Sequence, residues 1–195
     1  LYTFLIFKDD FEDGDYSDWG TSVAPEVEGS VWKVEREGDN YVLSGEGDCW
    51  STTGDPEWTD YILELKIKLI RGVGEISFRM NHKHEVPERY ILRFSRYDLT
   101  LVKGEPYLKE ERHTDLKHIS VDLDPDTWYA VKITSHENNI KIYLDDNPKL
   151  DYIDGDNPFL SGMIVLAATP YVEGKGSHIY FDDVKVSRIA TTSNI

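Results

Sequence analysis

Ser177-His178-Ile179-Tyr180-Phe181-Asp182-Asp183-Val184-Lys185-Val186 reads as one β-strand, rich in β-branched and aromatic side chains. Alternation assigns Tyr180, Asp182, Val184 and Val186 to one face and Ile179, Phe181, Asp183 and Lys185 to the other. One carboxylate, Asp182, therefore stands in line with residues that look inward. A carboxylate in that position needs a metal, a cation or several N–H donors. The opposite end of the chain offers Asp9-Asp10-Phe11-Glu12-Asp13-Gly14-Asp15. The two ends are expected to meet there.

The same two-residue period runs through the chain. In Trp58 to Ile70, residues Tyr61, Leu63, Leu65, Ile67 and Leu69 face one way; Glu64, Lys66 and Lys68 face the other. That is a strand period and not the 3.6 of a helix. Gly74 to Met80 repeats it, with Ile76, Phe78 and Met80 against Glu75, Ser77 and Arg79. Further strands are predicted at 29–34, 40–44, 89–96, 99–103, 128–135, 140–144 and 162–168, with Leu1 to Phe7 as a first strand. Turns are expected at Tyr97-Asp98 and at Glu137-Asn138-Asn139, where Asn tolerates a left-handed backbone. No window supports a long amphipathic helix. Many short strands with regular turn signals define an all-β fold: one antiparallel β-sandwich or jelly roll over residues 1–188, with a loose tail at 189–195.

Among the 195 residues, 37 are Asp or Glu and 21 are Lys or Arg, giving a formal net charge of −16. Such a chain lacks the basic surface that nucleic acid or an anionic membrane would require. No segment is long and apolar enough for insertion into a membrane. The single cysteine, Cys49, allows no internal disulfide and reads as a small buried hydrophobe. The acidic balance suits an extracellular or cell-surface domain with a neutral ligand such as sugar, or one carrying calcium.

Several motifs occur in a telling order: Asp-Asp-Phe-Glu-Asp-Gly at 9–14, Ser-Val-Trp-Lys-Val at 30–34, Tyr-Ile-Leu-Glu-Leu-Lys-Ile-Lys at 61–68 and Gly-Glu-Ile-Ser-Phe-Arg at 74–79. Tyr-Ile-Leu-Arg-Phe follows at 90–94, then Thr-Trp-Tyr-Ala-Val-Lys-Ile at 127–133, Ile-Lys-Ile-Tyr-Leu-Asp-Asp at 140–146 and Tyr-Phe-Asp-Asp-Val-Lys-Val at 180–186. This pattern resembles the concanavalin A-like lectin/glucanase superfamily, closest to the jelly rolls found beside family 16 glycoside hydrolases. The resemblance implies two curved antiparallel sheets with a groove on one of them. It implies core positions for Trp19, Trp32 and Trp128. It also implies a structural Ca2+ that ties the first strand to the last, with Asp10, Glu12 and Asp182 at the matching positions.

Family 16 hydrolysis needs two carboxylates on one strand face with an Asp between them. Glu75 matches the nucleophile position, but Ser77 and Arg79 stand where the other groups belong. The resemblance therefore leans away from that hydrolysis. His82, His84, Glu85 and Glu88 crowd one segment without a third metal ligand fixed by spacing, and read as a polar loop. The reading is a non-catalytic module for a polysaccharide or oligosaccharide, part of a longer glycan-active polypeptide with other domains. Its expected ligand face carries Glu64, Lys66, Glu75, Ser77, Arg79 and Arg93. Trp50 and Trp58, with Tyr97, Tyr107 and Tyr171 as further loop aromatics, are candidates for stacking on sugar rings. The cationic members of that face also suit an acidic glycan. The alternatives are a hydrolase or lyase built on Glu75 with Arg79 or His82, and an adhesive domain without a small ligand.

Overall fold

The computed structural model describes residues 2–24, 27–170 and 176–190. Fifteen strands are present among them: β1 (Tyr2–Asp9), β2 (Gly20–Val23), β3 (Val31–Glu37), β4 (Asn40–Gly47), β5 (Cys49–Thr53), β6 (Tyr61–Arg71), β7 (Val73–Asn81), β8 (Glu88–Phe94), β9 (Asp98–Tyr107), β10 (Glu110–Ser120), β11 (Trp128–His136), β12 (Asn139–Leu144), β13 (Asn147–Ile153), β14 (Met163–Thr169) and β15 (Ser177–Ala190). They form two antiparallel sheets. The first runs β13-β12-β11-β6-β15-β4-β3, with β1 also on β15; the second runs β10-β9-β8-β7-β14-β5-β2. The fold is the antiparallel jelly-roll sandwich that the alternation predicts.

The strand at 177–190 is the hub of the first sheet. One of its edges pairs with β6, while the other pairs first with β4 and then with β1. The two ends of the chain do meet: Tyr2 lies opposite Ala190 and Asp9 opposite Val184. Ile189 and Ala190, expected in the tail, belong to this strand; Leu1 and residues 191–195 lie outside the described residues.

The strict alternation of 177–186 breaks at Asp183. Its φ is 50°, and the pairing with β6 slips between Asp182 and Lys185. This is a β-bulge, which moves every later side chain to the other face. Ile179, Phe181, Val184 and Val186 are all fully buried in the core. Asp182 instead shares the outer face with Lys66, its partner in register. It therefore does not look into the core with Val184 and Val186, as uninterrupted alternation requires.

Between the sheets, Leu63, Leu65 and Ile67 of β6 join Ile76 and Phe78 of β7, Tyr90, Leu92 and Phe94 of β8, and Phe181. Full burial of each such side chain stabilises by roughly 1.5–3 kcal/mol. Trp19 and Trp32 are buried as expected. Trp128 departs from expectation: it is only half-buried and lies under the Lys68 ammonium, with its indole N–H donated to Glu37 Oε2 at 3.0 Å. The 136–139 hairpin also turns differently. Glu137, at φ 50°, takes the left-handed position assigned to Asn. Its N–H is donated to Asp60 Oδ1 at 2.7 Å, which holds the unusual backbone in place.

Candidate saccharide groove on the second sheet

The outer face of the second sheet carries a row of side chains in register. Trp50 on β5 lies opposite Ala167 on β14; Ala167 lies opposite Glu75 on β7; Glu75 lies opposite Arg93 on β8. Adjacent strands are about 4.8 Å apart, so Trp50 and Glu75 are separated by roughly 10 Å across a methyl group. The small Ala167 leaves a groove of about 430 Å³, walled by Trp50 and Thr52 on one bank and by Glu75, Arg89 and His113 on the other. Trp50 is 42% exposed there, a large indole face open to solvent.

The polar bank is a connected lattice. Arg93 donates Nε–H to Glu75 Oε1 at 2.9 Å, and its Nη2 lies 3.4 Å from His113 Nδ1. His113 Nε2 lies 3.1 Å from Glu111 Oε2. Arg89 donates to both Glu111 oxygens at 2.8 Å and to Ser77 Oγ at 3.2 Å. Charged, two-pronged contacts of this kind are the strong end of hydrogen bonding. Burial alone would raise the Glu111 carboxyl; the Arg89 hydrogen bonds and charge outweigh it and hold Glu111 below the ordinary carboxylate range. Burial would likewise lower Arg89, and Glu111 overrides it.

A glycine makes this lattice possible. Gly104 on β9 sits between Arg89 and His113 in register. Any Cβ built there would lie 2.2 Å from Glu111 Oε1. The Glu111 carboxylate thus crosses the strand over bare backbone to reach Arg89.

A second bulge shapes the groove's end. Arg79 has φ 50°, and β7 slips against β8 between Phe78 and Asn81. The extra residue turns Arg79 into the sandwich, where it is fully buried. Its guanidinium donates to Glu137 O, to Phe159 O at 2.9 Å and to Asp60 Oδ1 at 3.2 Å, while its backbone N–H is donated to Tyr61 Oη at 2.7 Å. Met80 and His82 then line the groove in its place. Elsewhere in the interior, Asp154 is buried, paired with Lys103 at 2.7 Å and accepting from the Tyr90 hydroxyl.

The expected ligand face is therefore divided. Trp50, Glu75, Ser77 and Arg93 lie together on the second sheet. Glu64 and Lys66 belong to β6 and lie on the outer face of the first sheet, across the sandwich. Arg79 is inside, for the reason given. Trp58 packs on Phe7 and Tyr61 and covers Gly54, whose added Cβ would fall 2.5 Å from the indole; it closes the end of the sandwich. Tyr171 lies outside the described residues. Glu111 and His113 lie on β10, which is too polar to read as a strand; Arg89, at the start of the predicted 89–96 strand, gains its place in the site only through Glu111. The mid-strand Gly104 is the signal that marks a close approach there. Cys49 also borders the groove, but burial pushes its thiol up to about 12, so it is no nucleophile at neutral pH.

The three residues expected to hold calcium are already engaged. Asp10 meets Lys8 at 2.6 Å. Glu12 Oε1 accepts the Tyr41 N–H at 3.0 Å. Asp182 accepts from Asn40 Nδ2 at 2.8 Å and from the Asp183 N–H at 2.7 Å. Among the described residues, no three His, Cys, Asp or Glu side chains converge as a metal cage. Calcium requires about six to eight oxygens, and in this geometry the three carboxylates accept from N–H donors. The aspartate that fastens the first strand is Asp9, which accepts from the Phe11 N–H at 2.9 Å and the Trp19 indole at 2.8 Å. His82 and His84 likewise diverge, one into the groove and the other towards Glu88.

The comparisons with known proteins agree with this architecture. The family model of the 3-keto-alpha-glucoside-1,2-lyase-like domain matches residues 7–187. The chain belongs to that family. No curated protein matches it. Among solved structures, the chain is similar to the carbohydrate binding module CBM66 from Bacillus subtilis, with 20% identity, a TM-score of 0.62 and coverage of 87% of this chain and 94% of that one. It is also similar to a glycoside hydrolase family 16 endo-glucanase from Bacteroides ovatus, with 15% identity, a TM-score of 0.69 and coverage of 92% and 99%. A prokaryotic beta-1,3-1,4-glucanase (lichenase) derived from a mouse hindgut metagenome matches at 14% identity and a TM-score of 0.65, covering 93% and 98%. At such identities these likenesses establish the shared fold. Function rests on the site.

Proposed function

We propose that the domain binds a saccharide in the groove of the second sheet and does not hydrolyse it. The observation that carries this is the Trp50–Ala167–Glu75 row: an open indole, a small floor residue and a fixed polar bank in register. Sugars are held by an aromatic platform and by hydrogen-bonding groups locked in place. The family's name and the carbohydrate-related names of the similar structures support the same ligand class. Hydrolysis is disfavoured because its general acid must be protonated near neutral pH. Glu111, the other carboxylate in this lattice, is kept ionised by Arg89. An extracellular or surface location, within a longer glycan-active polypeptide, fits this role. Titration with neutral oligosaccharides while following indole emission tests the reading: wild type saturates, and Trp50→Ala loses roughly 1–2 kcal/mol of binding.

One observation favours a second reading. Glu75 Oε2 has no hydrogen-bond partner among the described residues, and Glu75 borders the groove. In a 3-keto α-glucoside the C2 proton is acidic because it neighbours the ketone. A carboxylate base could take that proton as the C2–H electrons form C1=C2 and the C1–O bond breaks. The departing alkoxide would collect a proton from water. Release of an unsaturated ketone from such a glucoside, lost in Glu75→Gln, would establish this lyase activity.

A further inference from the structure

We propose that Glu75 sets the specificity of the groove by occupying Arg93, so that the site takes neutral saccharides and refuses anionic ones such as uronates. The inference rests on the saccharide reading of the groove and goes on to name the ligand class.

Proteins grip sugar carboxylates with guanidinium forks, because two parallel N–H donors match two carboxylate oxygens. This bank has two guanidiniums, and each is paired with a carboxylate. Arg89 spends Nε and Nη2 on Glu111 and Nη1 on Ser77 Oγ. Arg93 gives Nε to Glu75 Oε1, and its Nη2 faces His113 Nδ1. What the bank presents to the groove is therefore an acceptor, Glu75 Oε2. Glu75 is only 6% exposed, so little water screens its charge. A hydroxyl approaching Glu75 finds lone pairs to donate to, while a carboxylate finds repulsion and an Arg93 already paired with Glu75.

The geometry also says how to invert the preference. In Glu75→Gln the shape stays and the negative charge goes. Arg93 loses its ionic partner and becomes available to an incoming carboxylate.

The experiment titrates the protein at low ionic strength with cellotetraose, laminaritetraose and maltotetraose, and separately with tetragalacturonate, following indole emission with Trp50→Phe as the assignment control. Wild type is expected to bind at least one neutral tetrasaccharide at least tenfold more tightly than the uronate. Glu75→Gln is expected to bind the uronate at least tenfold better than wild type does, and the neutral sugar several-fold worse. Raising the salt concentration should narrow the wild-type gap, a readout that does not depend on any variant folding. Equal wild-type affinity for the two classes, a gap insensitive to salt, or an unchanged ratio in folded Glu75→Gln would overturn this assignment and leave the saccharide reading intact. Binding of neither class would overturn the saccharide reading itself, and this one with it.

Discussion

On the outer face of the first sheet, Lys66 meets Asp183 at 2.7 Å and Lys185 meets Glu64 at 3.4 Å, all four side chains being 42–50% exposed. On the outer face of the second sheet, Arg89 grips Glu111 at 2.8 Å and Arg93 meets Glu75 at 2.9 Å; Arg89, Glu111 and Glu75 are all under 20% exposed. Residue types and contact lengths are much alike, but the surroundings differ. The first set stands in water, where an ion pair is screened and its flexible side chains must be held still. The second set is sheltered, linked through Ser77 and His113, and faces an aromatic bank. On β6 the alternating charge at Glu64 and Lys66 thus marks a solvated face, while Lys68 in the same row is buried against Glu37 and Trp128. The proposed ligand face has, in addition, the small floor residue Ala167 and the open ring of Trp50.

Removing one partner from each lattice separates the two faces most sharply. Arg89→Met leaves Glu111 half-buried without its fork and should cost about 2–3 kcal/mol in urea unfolding. Gly104→Ala should cost less, about 1–2 kcal/mol, because the Glu111 carboxylate can swing away but then loses Arg89. Lys66→Ala or Lys185→Ala, on the solvated face, should change stability by less than about 1 kcal/mol. A Lys66→Ala loss as large as that of Arg89→Met would erase the contrast.

Acid sharpens the same comparison. Glu111 is held below its ordinary value in the fold, so its contribution is present above the unfolded carboxylate value and is lost as pH falls through the folded one. The stability gap between wild type and Glu111→Gln should therefore narrow as pH falls from about 5 to about 3. A gap that widens in that range would contradict the Arg89–Glu111 pairing. The smallest expected effect is that of a calcium chelator. With Asp10, Glu12 and Asp182 engaged by Lys8, Tyr41 and Asn40, the melting temperature should not move. A drop of several degrees would return calcium to the clasp between the chain ends.

The sandwich was readable because its inward residues alternate without ambiguity, as in Tyr61 to Leu69. Four strands escaped that reading. Glu110–Ser120 lies at the edge of its sheet and is polar on both faces, so no period shows. Gly20–Val23 is short and wholly exposed. Cys49–Thr53 and Asn147–Ile153 begin among turn residues that mask them. Faces were lost where a bulge intervened. Phe181 and Val184 are both inward yet three apart, and that odd interval in the sequence is the mark of the bulge at Asp183. Arg79 gives no such mark: an unbroken alternation runs through it, and only the backbone turns it inward. Three separate causes divided the expected ligand face: Arg79 turned inward at its bulge, Glu64 and Lys66 fell on the other sheet, and Trp58 packed on Phe7 and Tyr61, while Trp50, Glu75, Ser77 and Arg93 stayed together.

The central claim is that the groove between Trp50 and Glu75 is a saccharide site, and backbone amide shifts on titration with neutral tetrasaccharides test it most directly. Perturbations confined to β5, β7, β8 and β14 around Ala167, and abolished in Trp50→Ala, are the predicted result. Shifts centred instead on β6 and β15 around Lys66 and Asp183 would contradict the claim and move the site to the other sheet.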